Sequence, residues 1–524
     1  MRRPNVVVIL ADDLGFSDIE PFGGEIQTPA LSGLAATGVS MSSFYVTPRC
    51  SPSRAALLTG RVPHEVGIGI LTSDDSPTGY PGSLSTEVPT LAELLSEQGY
   101  ATGIFGKWHL SNEVHVPCAT WPTRRGFDEF RGILSGASSF FEPPIVEGEE
   151  PVPVAELSED FYFTDDITNH AVDFIRRHAE DSEPFFLYLP YTAPHGPLHA
   201  RPEAISKYRE LYAAGQEPLR SARLDRLHEK GLVPEVHTLP PSTTVPEWND
   251  DEAAWQIERM AVYAAQVDSL DQGVGRILDS LEEMGVREDT LVMFLSDNGA
   301  CAETMDPEIV SHVFSELVAP RTTRQGEPVT IGDVPGVMPG PATTYQGYGR
   351  DWATVSNTPF RMWKRWVHEG GISSPFVVSW PSGGIKGGGI SHALGHINDI
   401  LPTVLDASGL GSDGPGTSLL KVWENPGHPE GDRTLCWEHL GNAAIRRGRW
   451  KLVREWGSAW ELYDIETDRI ESSNLVAQYP DLVDELEAEW QAWADAHGVI
   501  PWQVVLDDYQ RRGKGRLMKQ ASKA

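Results

Sequence analysis

Asn5-Val6-Val7-Val8-Ile9-Leu10 runs almost directly into Asp12-Asp13. The apolar residues are contiguous rather than alternating, and mostly β-branched. That is the pattern of a strand buried on both faces, which belongs to a parallel sheet covered by helices. The chain then repeats helix before strand. Thr28-Pro29 starts a helix, with Thr as N-cap and Pro in the first position. Leu31, Leu34 and Ala35 give it an apolar stripe, and Gly38 stops it. Pro89 opens a second helix through Leu91, Leu94 and Leu95, Gly99 closes it, and a strand follows over 100–105. A helix over 166–178 precedes a strand over 185–189, and a long helix over 258–284 precedes a strand over 290–295. A further strand is read over 374–380. This alternation predicts an α/β fold: a large, mostly parallel or mixed sheet flanked by helices.

After about Leu410 the character changes. Residues 411–416 read as a linker, and short strands over 433–439, 443–445, 450–454 and 461–464 predict a smaller antiparallel sheet. Pro480 starts a helix with Leu482, Leu486, Trp490 and Trp493 on one side. The expected organisation is a catalytic α/β domain over 1–410, an antiparallel subdomain with its packing helix over 411–510, and a basic tail over 511–524, read as disordered in preference to an arm gripping a partner subunit. Loop-rich insertions over 142–159, 238–245 and 308–355 are expected to form the rim of a substrate pocket. Gly387-Gly388-Gly389 lacks the Lys-Ser/Thr ending of a phosphate cradle and reads as a turn.

The chain has 524 residues, enough to bury a large core, and a formal net charge of −33. Such a balance argues against nucleic-acid binding, which needs a basic footprint. An anionic ligand would need local cations and a metal to overcome the overall field. No apolar run approaches membrane-spanning length, so no membrane association is expected. The opening apolar run is too short for a signal peptide and ends on Asp12-Asp13, so a cytoplasmic location is expected. Cys50, Cys118, Cys301 and Cys436 are scattered, without zinc spacing or a disulfide framework.

Asp12 and Asp13 follow the first buried strand, where open parallel sheets bind ligands. Adjacent carboxylates repel unless a cation sits between them. Asp297-Asn298-Gly299 follows another strand with further oxygen ligands. Each group alone reads equally as a turn. Two oxygen-rich strand ends together favour a divalent cation, calcium or magnesium rather than zinc. Cys50-Ser51-Pro52-Ser53-Arg54-Ala55-Ala56-Leu57-Leu58-Thr59-Gly60-Arg61 places Pro52 in the first turn of a helix and Cys50 at its positive end. Arg54, one turn on, can direct a planar cation to the same spot, which suggests an anion site with a reactive side chain. A lone Cys is more commonly a buried small hydrophobe.

The stretch from Cys50 to Arg61 resembles the active-site signature of the sulfatase family. The likeness extends to Asn5 through Gly15, to Gly106-Lys107-Trp108-His109 and to Ala193-Pro194-His195. It continues in Ser296-Asp297-Asn298-Gly299, in Asn357 through Lys364 with Glu369-Gly370-Gly371, and in Glu461-Leu462-Tyr463-Asp464 with Asn474-Leu475. One departure is Asp468-Arg469, where the family often has Asp-Pro; it is read as touching a turn and not the site. The resemblance implies that Cys50 is oxidised to formylglycine by a formylglycine-generating enzyme that reads Cys-x-Pro-x-Arg. The hydrated aldehyde then offers an oxygen ligand and an oxygen nucleophile, removing the mismatch between a soft thiolate and a hard cation. It further implies that Asp12, Asp13, Asp297, Asn298 and the modified Cys50 hold the cation, calcium foremost. Arg54 would fix the diol, Lys107 and Lys364 would hold the sulfate oxygens, His195 would protonate the leaving oxygen, and His109 would take the diol proton. Asp297 would accept the proton of the attacking hydroxyl.

The resulting expectation is hydrolysis of a small sulfated substrate, an aryl sulfate foremost. The nearest rival is a phosphonate monoester or phosphodiester hydrolase of the same superfamily, because both substrates carry one negative charge on a tetrahedral centre. Less favoured are a non-catalytic binding protein with unconverted Cys50 and a thiol hydrolase that needs no metal. Homo-oligomerisation is left open by the sequence.

Overall fold

The computed structural model describes residues 3–239, 250–307, 315–411, 416–427 and 433–513. Strand β1 (Asn5–Ala11) is buried along its whole length. Val7, Ile9 and Ala11 enter one hydrophobic core, while Val6, Val8 and Leu10 enter another on the opposite face. The continuous apolar run is thus the period-two alternation of a strand with a core on each side.

In chain order the other main strands are β2 (Val39–Met41), β3 (Ala101–Lys107), β4 (Glu129–Ile133), β5 (Phe185–Pro190), β6 (Thr290–Ser296), β7 (Phe376–Ser379) and β8 (Gly389–Ser391). They form a sheet of order β8-β2-β7-β6-β1-β5-β3-β4, extended to ten strands by the hairpin Val146–Glu147 and Glu150–Pro151. The central block β6-β1-β5-β3-β4 is parallel. The strand read over 374–380 is antiparallel to β6 and β2, so the sheet is mixed. The covering helices include α1 (Pro29–Thr37), α2 (Cys50–Thr59), α3 (Leu91–Ser96), α4 (Phe163–His178) and the long α5 (Asp250–Glu283).

Helix α1 starts where Thr28-Pro29 places it, with Thr28 at the N-cap position, but the Thr28 side chain does not cap it. The Thr28 hydroxyl accepts the Glu20 N–H instead, and the Asp271 carboxylate of α5 accepts the Ala30 and Leu31 N–H groups at 3.0 and 2.9 Å. A tertiary carboxylate has taken the place of the local cap. At α3 the cap is local, a capping box between Thr90 and Glu93.

The segment read as an aperiodic loop over 308–355 contains helix α6 (Gly349–Ser356). Gly387 and Gly388 turn with positive φ into β8, as read. The loop at 240–245, the linker at 412–415 and the tail at 514–524 lie outside the described residues.

A second sheet follows, with antiparallel strands β9 (Thr434–His439), β10 (Asn442–Arg447), β11 (Trp450–Arg454) and β12 (Glu461–Asp464). Its outer face, Ala443, Ile445, Leu452 and Leu462, packs on helix α7 (Pro480–Ala496) through Leu486 and Trp490. Its inner face, Trp437, Ala444, Val453 and Tyr463, packs on Tyr45 and Ile372 of the first unit. A further helix, α8 (Trp502–Arg511), was not evident from sequence. Among the described residues, no helix is long and apolar enough to cross a membrane.

Candidate active site

Parallel strands end at one edge, and four of them deliver the site. Ala11 is in register with Ser296, so Asp12-Asp13 and Asp297-Asn298 leave β1 and β6 side by side. The Asp297 N–H donates to the Ala11 carbonyl at 3.1 Å, and the Asp12 N–H to the Ala193 carbonyl at 3.1 Å. Lys107 ends β3, and His195 lies just past β5. Close packing keeps these turns in place. A Cβ on Gly15 would meet the Ser356 carbonyl oxygen at 2.4 Å, so only glycine fits there.

Helix α2 points its N-terminus at this edge, and all of its residues are buried. The Cys50 Sγ lies 3.5 Å from His109 Nδ1. Lys107 Nζ donates to Asp12 Oδ2 at 2.6 Å, and Lys364 Nζ lies 2.7 Å from Asp13 Oδ1. Asn298 Nδ2 donates to Asp13 Oδ1 at 2.7 Å. His195 Nε2 lies 3.4 Å from Asp13 Oδ2, while its Nδ1 contacts the Gly196 carbonyl at 2.7 Å. Arg54 packs against Asp297 and the end of β3. It is fully buried, donating to Asp297 Oδ2 at 2.7 and 3.0 Å and to the Lys107 carbonyl at 2.8 Å. All ten residues singled out from sequence therefore stand in one cluster.

Burial would raise the pKa values of Asp12 and Asp13, but the cations around them win. Lys107, His195 and Arg54 hold Asp12 below the usual carboxylate range, and Lys364 does the same for Asp13. Asp297 goes the other way: burial and the charge of Asp12 push it up, against Arg54. Burial, then Lys107 and Arg54, lower the basicity of His109, which favours its neutral form. His195 is lowered by burial, partly offset by Asp13.

The donor set fits a divalent cation. Among the described residues, Asp12 Oδ1 and Asn298 Oδ1 are buried oxygens with no hydrogen-bond partner. Asp12, Asp13 and His195 bring three ligand atoms within 4.8 Å of one another. Hard oxygen donors dominate, as calcium or magnesium requires.

Two neighbours were missed from sequence. Arg49, next to Cys50, pairs with Glu303, which Arg49 and Lys364 hold down at about 2 despite burial. The only sequence signal was their position, each a few residues from a motif.

The Sulfatase family model matches residues 4–410. An uncharacterised sulfatase of Schizosaccharomyces pombe is 33% identical over 98% of this chain and 97% of its own length. An arylsulfatase of Klebsiella aerogenes is 32% identical, covering 80% of this chain and 89% of that protein. Among solved structures, Ps i-CgsB in complex with k-i-k-neocarrahexaose shares the fold, with a TM-score of 0.70 at 24% identity over 99% of both chains.

Proposed function

The chain belongs to the sulfatase family, and from that premise we propose that it hydrolyses aryl sulfates, with calcium in the oxygen cluster and Cys50 converted to formylglycine. Hydrolysis of sulfate esters comes with the family. The aryl preference is supported by the likeness to the Klebsiella aerogenes arylsulfatase.

The observation that carries the reading is the balance of charge. With Asp297 ionised, Asp12, Asp13 and Asp297 face Lys107, Lys364 and Arg54, three carboxylates against three cations, and a bound cation would favour that form over the one burial favours. A divalent cation would bring this neutral cluster to a net charge of about +2, suited to a monoanionic ester in a dry site. Asp12, Asp13, Asp297 and Asn298 would hold it, with Asp12 Oδ1 and Asn298 Oδ1 already free of other partners. When bound, the cation supplies Lewis acidity toward the ester oxygens. Formylglycine at position 50 supplies an oxygen nucleophile where a thiolate would suit a hard cation poorly.

The chain's own groups have separable tasks. Lys107 Nζ and Lys364 Nζ lie on the rim of the carboxylates and can exchange those partners for the sulfate oxygens, offsetting charge as it develops. His109 Nδ1, nearest to residue 50, is kept in the basic form and accepts a proton there. His195 donates through Nε2. With Nδ1–H directed at the Gly196 carbonyl, Nε2 carries a proton only in the imidazolium, which Asp13 supports against the burial that lowers the ring's basicity overall.

The test is peptide mass across Cys50 together with 4-nitrophenyl sulfate turnover on the same sample. Conversion of thiol to aldehyde, with turnover abolished by chelation and by Cys50→Ala, is the expected result. Co-expression with a formylglycine-generating enzyme, the maturation partner this reading implies, should raise both. Efficient turnover of a phosphonate monoester in place of the sulfate would overturn the substrate assignment.

A further inference from the structure

Glu369 is completely buried beneath the active site and is held by groups from both units. Lys451 Nζ, on β11, donates to Glu369 Oε1 at 2.9 Å. Arg469 Nε, just past β12, and the Tyr45 hydroxyl each donate to Oε2 at 2.7 Å. Ser373 adds a hydroxyl at 3.1 Å. Glu471 lies 2.8 Å from Lys451 Nζ and accepts the Glu369 N–H at 3.1 Å. Arg469 is the residue standing where the family often has Pro. It does more than make a turn: its guanidinium also donates to the Ser42 carbonyl at 2.6 Å and lies 4.5 Å over the Phe360 ring.

The two residues after Glu369 are built into the back of the site. The Gly299 N–H donates to the Gly371 carbonyl at 3.1 Å, and a Cβ on Gly299 would sit 1.8 Å from the Gly370 oxygen. Asn357 Nδ2 donates to the Gly370 carbonyl at 2.7 Å, and its Oδ1 accepts the Ala300 N–H at 3.0 Å. The Lys364 N–H donates to the Ala300 carbonyl at 3.0 Å. Asp297-Asn298 and Lys364 are therefore registered against the backbone that Glu369 anchors.

We propose that Lys451 and Arg469 are positioning residues which, through Glu369, set Asn298, Asp297 and Lys364 in place, so that the C-terminal sheet braces the cation site. The inference rests on the reading of the oxygen cluster as a cation site. A buried carboxylate that loses a cationic partner must move, protonate or admit water, and each response shifts the Gly370-Gly371 backbone.

The experiment compares Lys451→Met, Lys451→Arg and Arg469→Met with Leu486→Ala, which opens a cavity on the far side of the same sheet. Calcium binding is read by calorimetry on the whole chain, and kcat and KM by 4-nitrophenyl sulfate turnover. Lys451→Met and Arg469→Met should weaken calcium binding at least tenfold and lower kcat, with KM within about threefold. Lys451→Arg should recover much of the loss, and Leu486→Ala should keep wild-type calcium affinity. Wild-type affinity in Lys451→Met and Arg469→Met overturns the inference, as does an equal loss in Leu486→Ala. If Lys451→Met does not fold, Arg469→Met decides alone, and failure of both to fold assigns the network to stability only. Absence of calcium and magnesium binding in the wild-type protein would instead overturn the cation site itself.

Discussion

His195 is exposed by 14% at its side chain, more than Lys107, Lys364 or Asp13, and faces the approach to the cluster. Its removal should therefore depend on the leaving group. His195→Ala is expected to cost about a hundredfold in kcat/KM for the sulfate ester of a poorly leaving alcohol and under about tenfold for 4-nitrophenyl sulfate. Equal losses, measured side by side, would remove the proton-donor role. At this scale the sequence was highly informative, because most of the functional residues sit in short motifs close after a strand or at a helix start, Lys364 in its loop being the exception. Asp12, Asp13, Asp297 and Asn298 needed only the rule that parallel strands end together, whereas Lys107 was reached only through the family resemblance. The partner of each charge was not legible. Arg54 lies on Asp297, and Arg469 on Glu369, because a guanidinium's reach is decided by packing among residues over 90 positions away.

Among elements, α1 shows why local rules find a helix but not its energetics. Thr28-Pro29 fixed the start correctly, yet the carboxylate that satisfies the first turn comes from Asp271 on α5. Burial pushes that carboxyl up to about 6, although both N–H donors oppose it. Asp271→Ala should lower unfolding free energy by about 1–2 kcal/mol, with the loss read in urea at unchanged m-value. Thr28→Ala, which leaves those donors paired, should cost less than Asp271→Ala; the reverse order would restore Thr28 as the cap. The antiparallel pairing of β7 was equally hidden, since a short apolar run does not encode its direction. Helices α6 and α8 span only about two to three turns, and their apolar stripes, Trp352 with Val355 and Trp502 with Val505 and Tyr509, are too short to stand out from the surrounding loops.

For the molecule as a whole, acid should act through buried imidazoles. His199 is 1% exposed; its Nδ1 lies 3.3 Å from the Phe140 N, an N–H donor, and its Nε2 2.7 Å from the Thr344 carbonyl. Only the neutral ring satisfies both, and burial lowers its pKa from 6.5 to about 4. A depressed folded value means stability that is complete above pH 6.5 and lost as pH falls toward 4, about 3 kcal/mol in all. His199→Gln, which can keep both bonds without titrating, should flatten the fall in thermal midpoint between pH 7 and 4.5. An unchanged slope would show that other groups dominate. The same long-range architecture also orders events in time. Strand β1 precedes the sheet's other described strands in the chain and sits in the middle of the sheet, yet Val6 pairs with Phe186 and Leu291. Nothing can flank it until those residues have emerged, and the brace from Lys451 arrives later still. In the folded chain the peptide around Cys50 is a buried helix start, so on this topology its exposure is expected to end once the sheet assembles. If Cys50 is converted as proposed, the converting enzyme works against a clock, and the clock is set by how late the neighbours of β1 are made.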